Sequence, residues 1–90
     1  MTTNELLTLL KQDLEIVNTI SDPLLLHMIG AAQSQIAAEG ITLTPSALDD
    51  DLVRRYAAWL YRKRASDGPM PVGLRRALNN RKINEVSGYV

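Results

Sequence analysis

The stretch Asp49-Asp50-Asp51-Leu52-Val53-Arg54-Arg55-Tyr56-Ala57-Ala58-Trp59-Leu60-Tyr61-Arg62-Lys63-Arg64 decides the fold class. It opens on three acids and closes on three bases. Both ends therefore complement the dipole of a helix, at about 0.3–1 kcal/mol per favourable exposed charge. With successive residues turned by about 100°, Leu52, Val53, Tyr56, Trp59 and Leu60 share one face. Arg54, Arg55, Ala58, Tyr61 and Arg62 share the opposite one. The pattern predicts a helix over about Asp49 to Ala65 with the first set as its buried stripe.

Working outward, Asp67-Gly68-Pro69 and Pro71 break the chain sharply. A further helix is expected from near Pro71, burying Leu74, Ala77 and Leu78 and showing Arg75, Arg76 and Lys82 outward. Upstream, residues 41–48 with Thr42, Thr44 and Pro45 read as a loop. Before that loop a helix starts at Ser21 or Asp22, with Pro23 at its first position, where the missing N–H costs nothing. Leu25, Met28, Ile29, Ala32 and Ile36 form its apolar sector, and Gly40 is a natural residue to follow its end. Its other side carries His27, Ala31, Ser34 and Ala38. The first helix is expected from Asn4, as N-cap, to Lys11 or Gln12, with Leu14–Val17 as a connector. The expected class is all-α: a small bundle of about four helices over residues 1–82, with a flexible C-terminal tail at 83–90.

Ninety residues make one domain, burying roughly 60–65% of the unfolded chain's surface. The absence of cysteine removes disulfides, thiolate metal sites and thiol catalysis. The longest uncharged stretch, Pro23 to Ala38, is too short and polar for a membrane span. Glu5 stands where a signal peptide would carry Lys or Arg. With a single histidine and no Ser/His/Asp set at a spacing that would bring it together, no enzyme is expected. His27 reads as a surface or packing residue. Asp49, Asp50 and Asp51 splay around a helix rather than alternate as hard-cation ligands do, so a capping role is expected of them. No glycine-rich phosphate loop occurs. No metal or cofactor is expected.

The charges are sorted along the chain. Residues 1–51 carry eight acids and one base, and residues 52–90 nine bases and two acids, so the halves stand at −7 and +7. Such asymmetry points to a partner with a matching field, either nucleic acid or another copy of the chain. DNA binding would use the Asp67–Pro71 break as a helix-turn-helix corner. Against that, Pro69 and Pro71 stiffen the connection. The following helix also opens with Pro71-Val72-Gly73-Leu74, where a recognition helix offers polar side chains. Arg54, Arg55 and Arg62 beside Tyr61 read either as a solvated face or as a protein interface, Arg and Tyr being enriched at interface cores.

Three stretches resemble the small head–tail connector (adaptor, or head-completion) proteins of tailed bacteriophages. They are Leu9-Leu10-Lys11-Gln12-Asp13-Leu14-Glu15-Ile16, the span Asp22 to Gly40, and the basic Trp/Tyr helix with Met70-Pro71 and Leu74-Arg75…Ala77-Leu78-Asn79-Asn80-Arg81. The last is the most specific, and together they cover most of the chain. The resemblance implies a structural virion protein that assembles as a ring, typically of twelve copies, on the portal protein. It would extend the DNA channel and present a platform to the next connector or tail-completion protein. DNA would be only passing cargo, and the chain would occupy the head–tail junction after assembly in the host cytoplasm. The contact residues expected on this reading are Arg54, Arg55, Tyr61, Arg62, Arg75, Arg76 and Tyr89. A ring joins two different faces of each copy, and acidic and Arg-rich faces would be complementary there.

Overall fold

Four helices follow one another in the computed structural model, which describes residues 1–87 and side chains as far as Glu85: α1 (Thr3–Leu14), α2 (Asp22–Ala38), α3 (Ala47–Lys63) and α4 (Val72–Ser87). The described chain is all-α. Helix α1 is capped by Thr2, two residues before the expected Asn4, because Thr2 and Glu5 form a capping box. The Glu5 N–H donates to Thr2 Oγ1 at 3.2 Å and the Thr2 N–H donates to Glu5 Oε1 at 3.1 Å. That satisfies two of the donors a helix start leaves open. The helix also runs through Leu14, and Glu15, with φ of 58°, ends it in the left-handed region. The connector therefore begins at Glu15 rather than at Leu14.

Helix α2 begins behind Ser21 with Pro23 in its first turn, and Gly40 follows it with φ of 97°. Only glycine takes that conformation without strain. Helix α3 starts at Ala47, ahead of the three acids, because the Ser46 hydroxyl accepts from the Asp49 N–H at 3.2 Å. Helix α4 continues through Ile83 to Ser87, so the segment expected as a tail from residue 83 is helical for its first five positions. The remaining tail residues, and Tyr89 with them, lie outside the described residues.

Helix α3 is the hub. It packs most extensively on α2, then on α1, and α4 leans on it from another side. The core comprises Leu6 and Leu10 of α1, Leu25, Ile29, Ala32 and Ile36 of α2, Ile41 of the following loop, Leu52, Val53, Tyr56, Ala57 and Ala58 of α3, and Leu74 and Leu78 of α4. The expected stripe of α3 is corrected at its far end. Trp59 and Leu60 are only half-buried, whereas Ala57 and Ala58 are buried. A helix covered by neighbours on several sides has no fully solvated back, and small alanines let those neighbours approach. Ala77 of α4 is likewise half-buried.

Candidate protein-binding surface

The sorted charges meet inside the molecule. Arg54, in the middle of α3, is bonded to Asp13 at the end of α1 and to Asp51 one turn back on its own helix. Arg55 approaches Asp51 at 3.8 Å. Arg75 reaches Glu39 at 2.8 Å, and Lys82 reaches the same carboxylate at 2.7 Å. Arg81 pairs with Asp49 at 2.8 Å. Six of the nine ion pairs among the described residues thus join an acid of residues 1–51 to a base of residues 52–90. Much of the −7/+7 division is intramolecular complementarity between α4 or α3 and the elements before them.

The most deeply set of these contacts was not legible as a site. Asp49 is 1% exposed. Arg81 grips it through Nε to Oδ1 at 2.8 Å and Nη2 to Oδ2 at 3.2 Å. The same guanidinium donates to the Thr42 carbonyl at 2.8 Å and to Glu85 Oε2 at 2.7 Å. Thr44 completes the cage, its N–H and hydroxyl donating to Asp49 Oδ2 at 2.8 and 2.9 Å. Burial pushes the Asp49 carboxyl up, but Arg81 and Thr44 outweigh it and hold the group below its ordinary value. The hydrogen bonds that Arg81 donates to Asp49 and Glu85 raise it further above an ordinary arginine. At Glu39, burial is likewise outweighed by Arg75 and Lys82, and its pKa is lowered. The i,i+4 spacing of Arg81 and Glu85 was visible in the sequence. The link to Asp49, 32 positions away, was not, so Asp49 keeps its place as an acid in the first turn of α3 and also forms a buried ion pair.

What stays available is the C-terminal end of α3. Arg62, Lys63 and Arg64 are exposed, as is Arg76 on α4. Among the described residues none of these four has a carboxylate within ion-pair distance. Arg62 makes one long hydrogen bond, 3.4 Å, to the Asp13 carbonyl. Lys63 Nζ lies 5.1 Å from the centre of the Trp59 ring, and the Arg64 guanidinium lies 5.4 Å from that of Tyr61. Trp59 is itself seated edge-on against Tyr56, with ring centres 5.5 Å apart. Two shallow concavities flank this end. One, of about 160 Å³, is lined by Asp13, Arg55, Ala58, Trp59, Arg62, Pro71 and Leu74. The other, of about 450 Å³, lies over Tyr61, Arg62, Arg64, Ala65 and Ser66.

Of the contact residues expected from sequence, Arg54, Arg55, Tyr61 and Arg62 do gather along α3. Arg54 is held internally, Tyr61 is half-buried, and only Arg62 is exposed. Arg75 is tied to Glu39, and Arg76 projects from α4 into solvent. Lys63, Arg64 and Trp59 belong to the surface and were not singled out. Their signal was the run of cations directly after an aromatic pair. No protein-family model, curated protein or solved structure matches the chain. His27 is exposed on α2. Among the described residues no three His, Cys, Asp or Glu side chains converge as metal ligands, and no helix is long and apolar enough to cross a membrane.

Proposed function

We propose that the chain is a non-catalytic assembly protein, a head–tail connector adaptor that docks on a phage portal as an oligomeric ring. In that role it extends the DNA channel and offers a platform to the next connector or tail protein, at the head–tail junction of the virion. The observation that carries this reading is the end of α3, where Lys63 lies over Trp59, Arg64 lies over Tyr61 and Arg62 is exposed beside them, none with a carboxylate partner among the described residues. Arginine and aromatic side chains together are what protein interfaces concentrate at their hot spots. The reading also rests on the resemblance of the Trp/Tyr helix and the Leu74–Arg81 block to connector sequences.

Two features support a protein partner over DNA. Of the nine bases in residues 52–90, Arg54, Arg75, Arg81 and Lys82 are already closely paired with carboxylates. That reduces the cationic surface open to a polyanion. Exposed apolar side chains also lie on separate elements, Val17 and Ile20 between α1 and α2, and Val72 and Ile83 on α4. Ring closure needs two different faces of one copy, and contacts of this kind supply affinity that charge alone does not.

The test is to mix the chain with isolated portal and read stoichiometry by native mass spectrometry. A defined ring on the portal is expected. Charge reversal of Arg62 and Arg64 together should abolish it while leaving far-UV circular dichroism unchanged. Normal docking of that double variant, or a salt-steep shift of duplex DNA with no portal complex, would overturn the assignment.

A further inference from the structure

The smaller concavity beside Trp59 has the make-up of a side-chain receptor. Its floor is apolar, formed by Ala58, the half-buried Trp59 and the buried Leu74, with Pro71 at one wall. Two guanidiniums stand at its rim with donors in hand. The 3.8 Å approach of Arg55 to Asp51 is too long for a hydrogen bond. Arg62 uses one of its five donors on a carbonyl at 3.4 Å. The third charge at the rim, Asp13, does not neutralise them, because its carboxylate is bonded to Arg54. The start of α4 adds a second, independent feature. A Cβ built on Gly73 would lie 3.3 Å from Arg55 Nη2, so an alanine there would displace the guanidinium by a few tenths of an ångström.

We propose that this groove receives an acidic side chain together with its aliphatic neighbour, from an acidic segment of a partner protein. Size sets the class of ligand. About 160 Å³ lies below the roughly 300–1,000 Å³ of small-molecule and cofactor pockets, and suits one or two side chains. Charge sets the rest, since two guanidiniums above an apolar floor match a carboxylate attached to a hydrophobic segment. A second copy of the chain is poorly equipped to supply it. Seven of its ten acids are in ion pairs and Glu5 is in the capping box, which leaves only Glu15 and Asp67, far apart in sequence. The inference deepens the docking role proposed above by naming the chemistry of the partner's segment.

Trp59 is the only tryptophan, so its fluorescence reports on the groove directly. The probe is a capped peptide of alternating glutamate and leucine, titrated into the intact chain. Three comparison ligands accompany it: its glutamine counterpart, a leucine-free polyglutamate, and a ten-nucleotide oligothymidylate. A saturable change in Trp59 emission is expected with the first peptide alone, with amide shifts confined to α3 and the start of α4. Arg62→Gln should weaken binding at least tenfold and Gly73→Ala at least threefold, the latter with an unchanged or raised melting temperature. His27→Ala, on α2, should change neither. Equal binding of the glutamine peptide, tighter binding of the oligonucleotide, or full affinity in Gly73→Ala and Arg62→Gln would overturn the proposal. Concentration-dependent self-association that shifts the same amides would also overturn it, in favour of a second copy. Failure of the portal experiment with the peptide result intact would remove the connector role and leave the groove. The reverse pattern would remove the groove and leave the role.

Discussion

The α2–α3 interface and the seat of α4 hold together by different physics. Between α2 and α3 the contact is apolar, with Leu25, Ile29, Ala32 and Ile36 against Leu52, Val53 and Tyr56. One polar link, Tyr56 Oη donating to Gln35 Oε1 at 2.8 Å, crosses it. Among the described side chains, helix α4 contributes Leu74 and Leu78 to the buried core. It is otherwise fastened by Arg75 and Lys82 to Glu39, and by Arg81 to Asp49 and the Thr42 carbonyl. Non-directional burial spreads its contribution over many contacts, so truncating one partner weakens the shared core as a whole. A buried ion pair concentrates its dependence in two residues, because loss of one leaves the other charged and uncompensated. The molecule therefore combines a three-helix core of ordinary hydrophobic stability with a fourth helix whose docking rests on named charges.

Truncating the core should give the largest effect. Ile36→Ala is expected to destabilise the whole chain by about 2–5 kcal/mol, seen as a single cooperative shift in urea unfolding. Loss of protection from hydrogen exchange in α4 alone would instead show that the comparison is drawn in the wrong place.

Asp49→Asn should cost about 3 kcal/mol by leaving Arg81 without its buried counter-charge. Here the loss of exchange protection should begin in α4 and in residues 41–48. Replacing Asp49 by Asn, Arg81 by Met and Glu85 by Gln together should recover part of the loss, since an unpaired charge no longer remains. The same contact has a pH signature. Asp49 and Glu39 have lowered pKa values in the folded chain. Their contribution is therefore complete above the unfolded carboxylate range of about 4 and is lost as pH falls through the lower folded values. Acid titration followed by amide exchange should loosen α4 before α1–α3, and the Asp49→Asn variant should lose most of that differential.

Glu39→Gln should be the mildest. Its partners Arg75 and Lys82 are partly exposed, so a cost of about 0.5–1 kcal/mol is expected, shrinking in high salt. A cost insensitive to salt would mean that Glu39 acts through packing.

Local pattern carried the helices well because its causes are local. The stripe Leu25–Ile36, Pro23 at the start of α2 and Gly40 after it each express one helix's own geometry. The errors fell where a second element intervenes. Trp59 and Leu60 have the right phase for burial, yet lie beyond the reach of full coverage by the neighbouring helices. Ala58 sits on the charged face and is buried all the same. At the candidate surface, Arg54 and Arg62 look alike in sequence. Only Arg54 meets carboxylates, because the end of α1 and Asp51 converge on it.

The sequence by itself determined an all-α chain, the order of its four helices and the faces most of them bury, since 3.6-residue periodicity and end signals act within a few residues. It also determined that the charges are sorted. Tertiary structure alone decided where those charges go: Arg81 onto Asp49, Arg75 and Lys82 onto Glu39, and Arg62, Lys63 and Arg64 left beside Trp59 and Tyr61. Coulombic and hydrogen-bonding partners are chosen by distance in space, and no periodicity along the chain encodes a contact made 32 or 36 residues away.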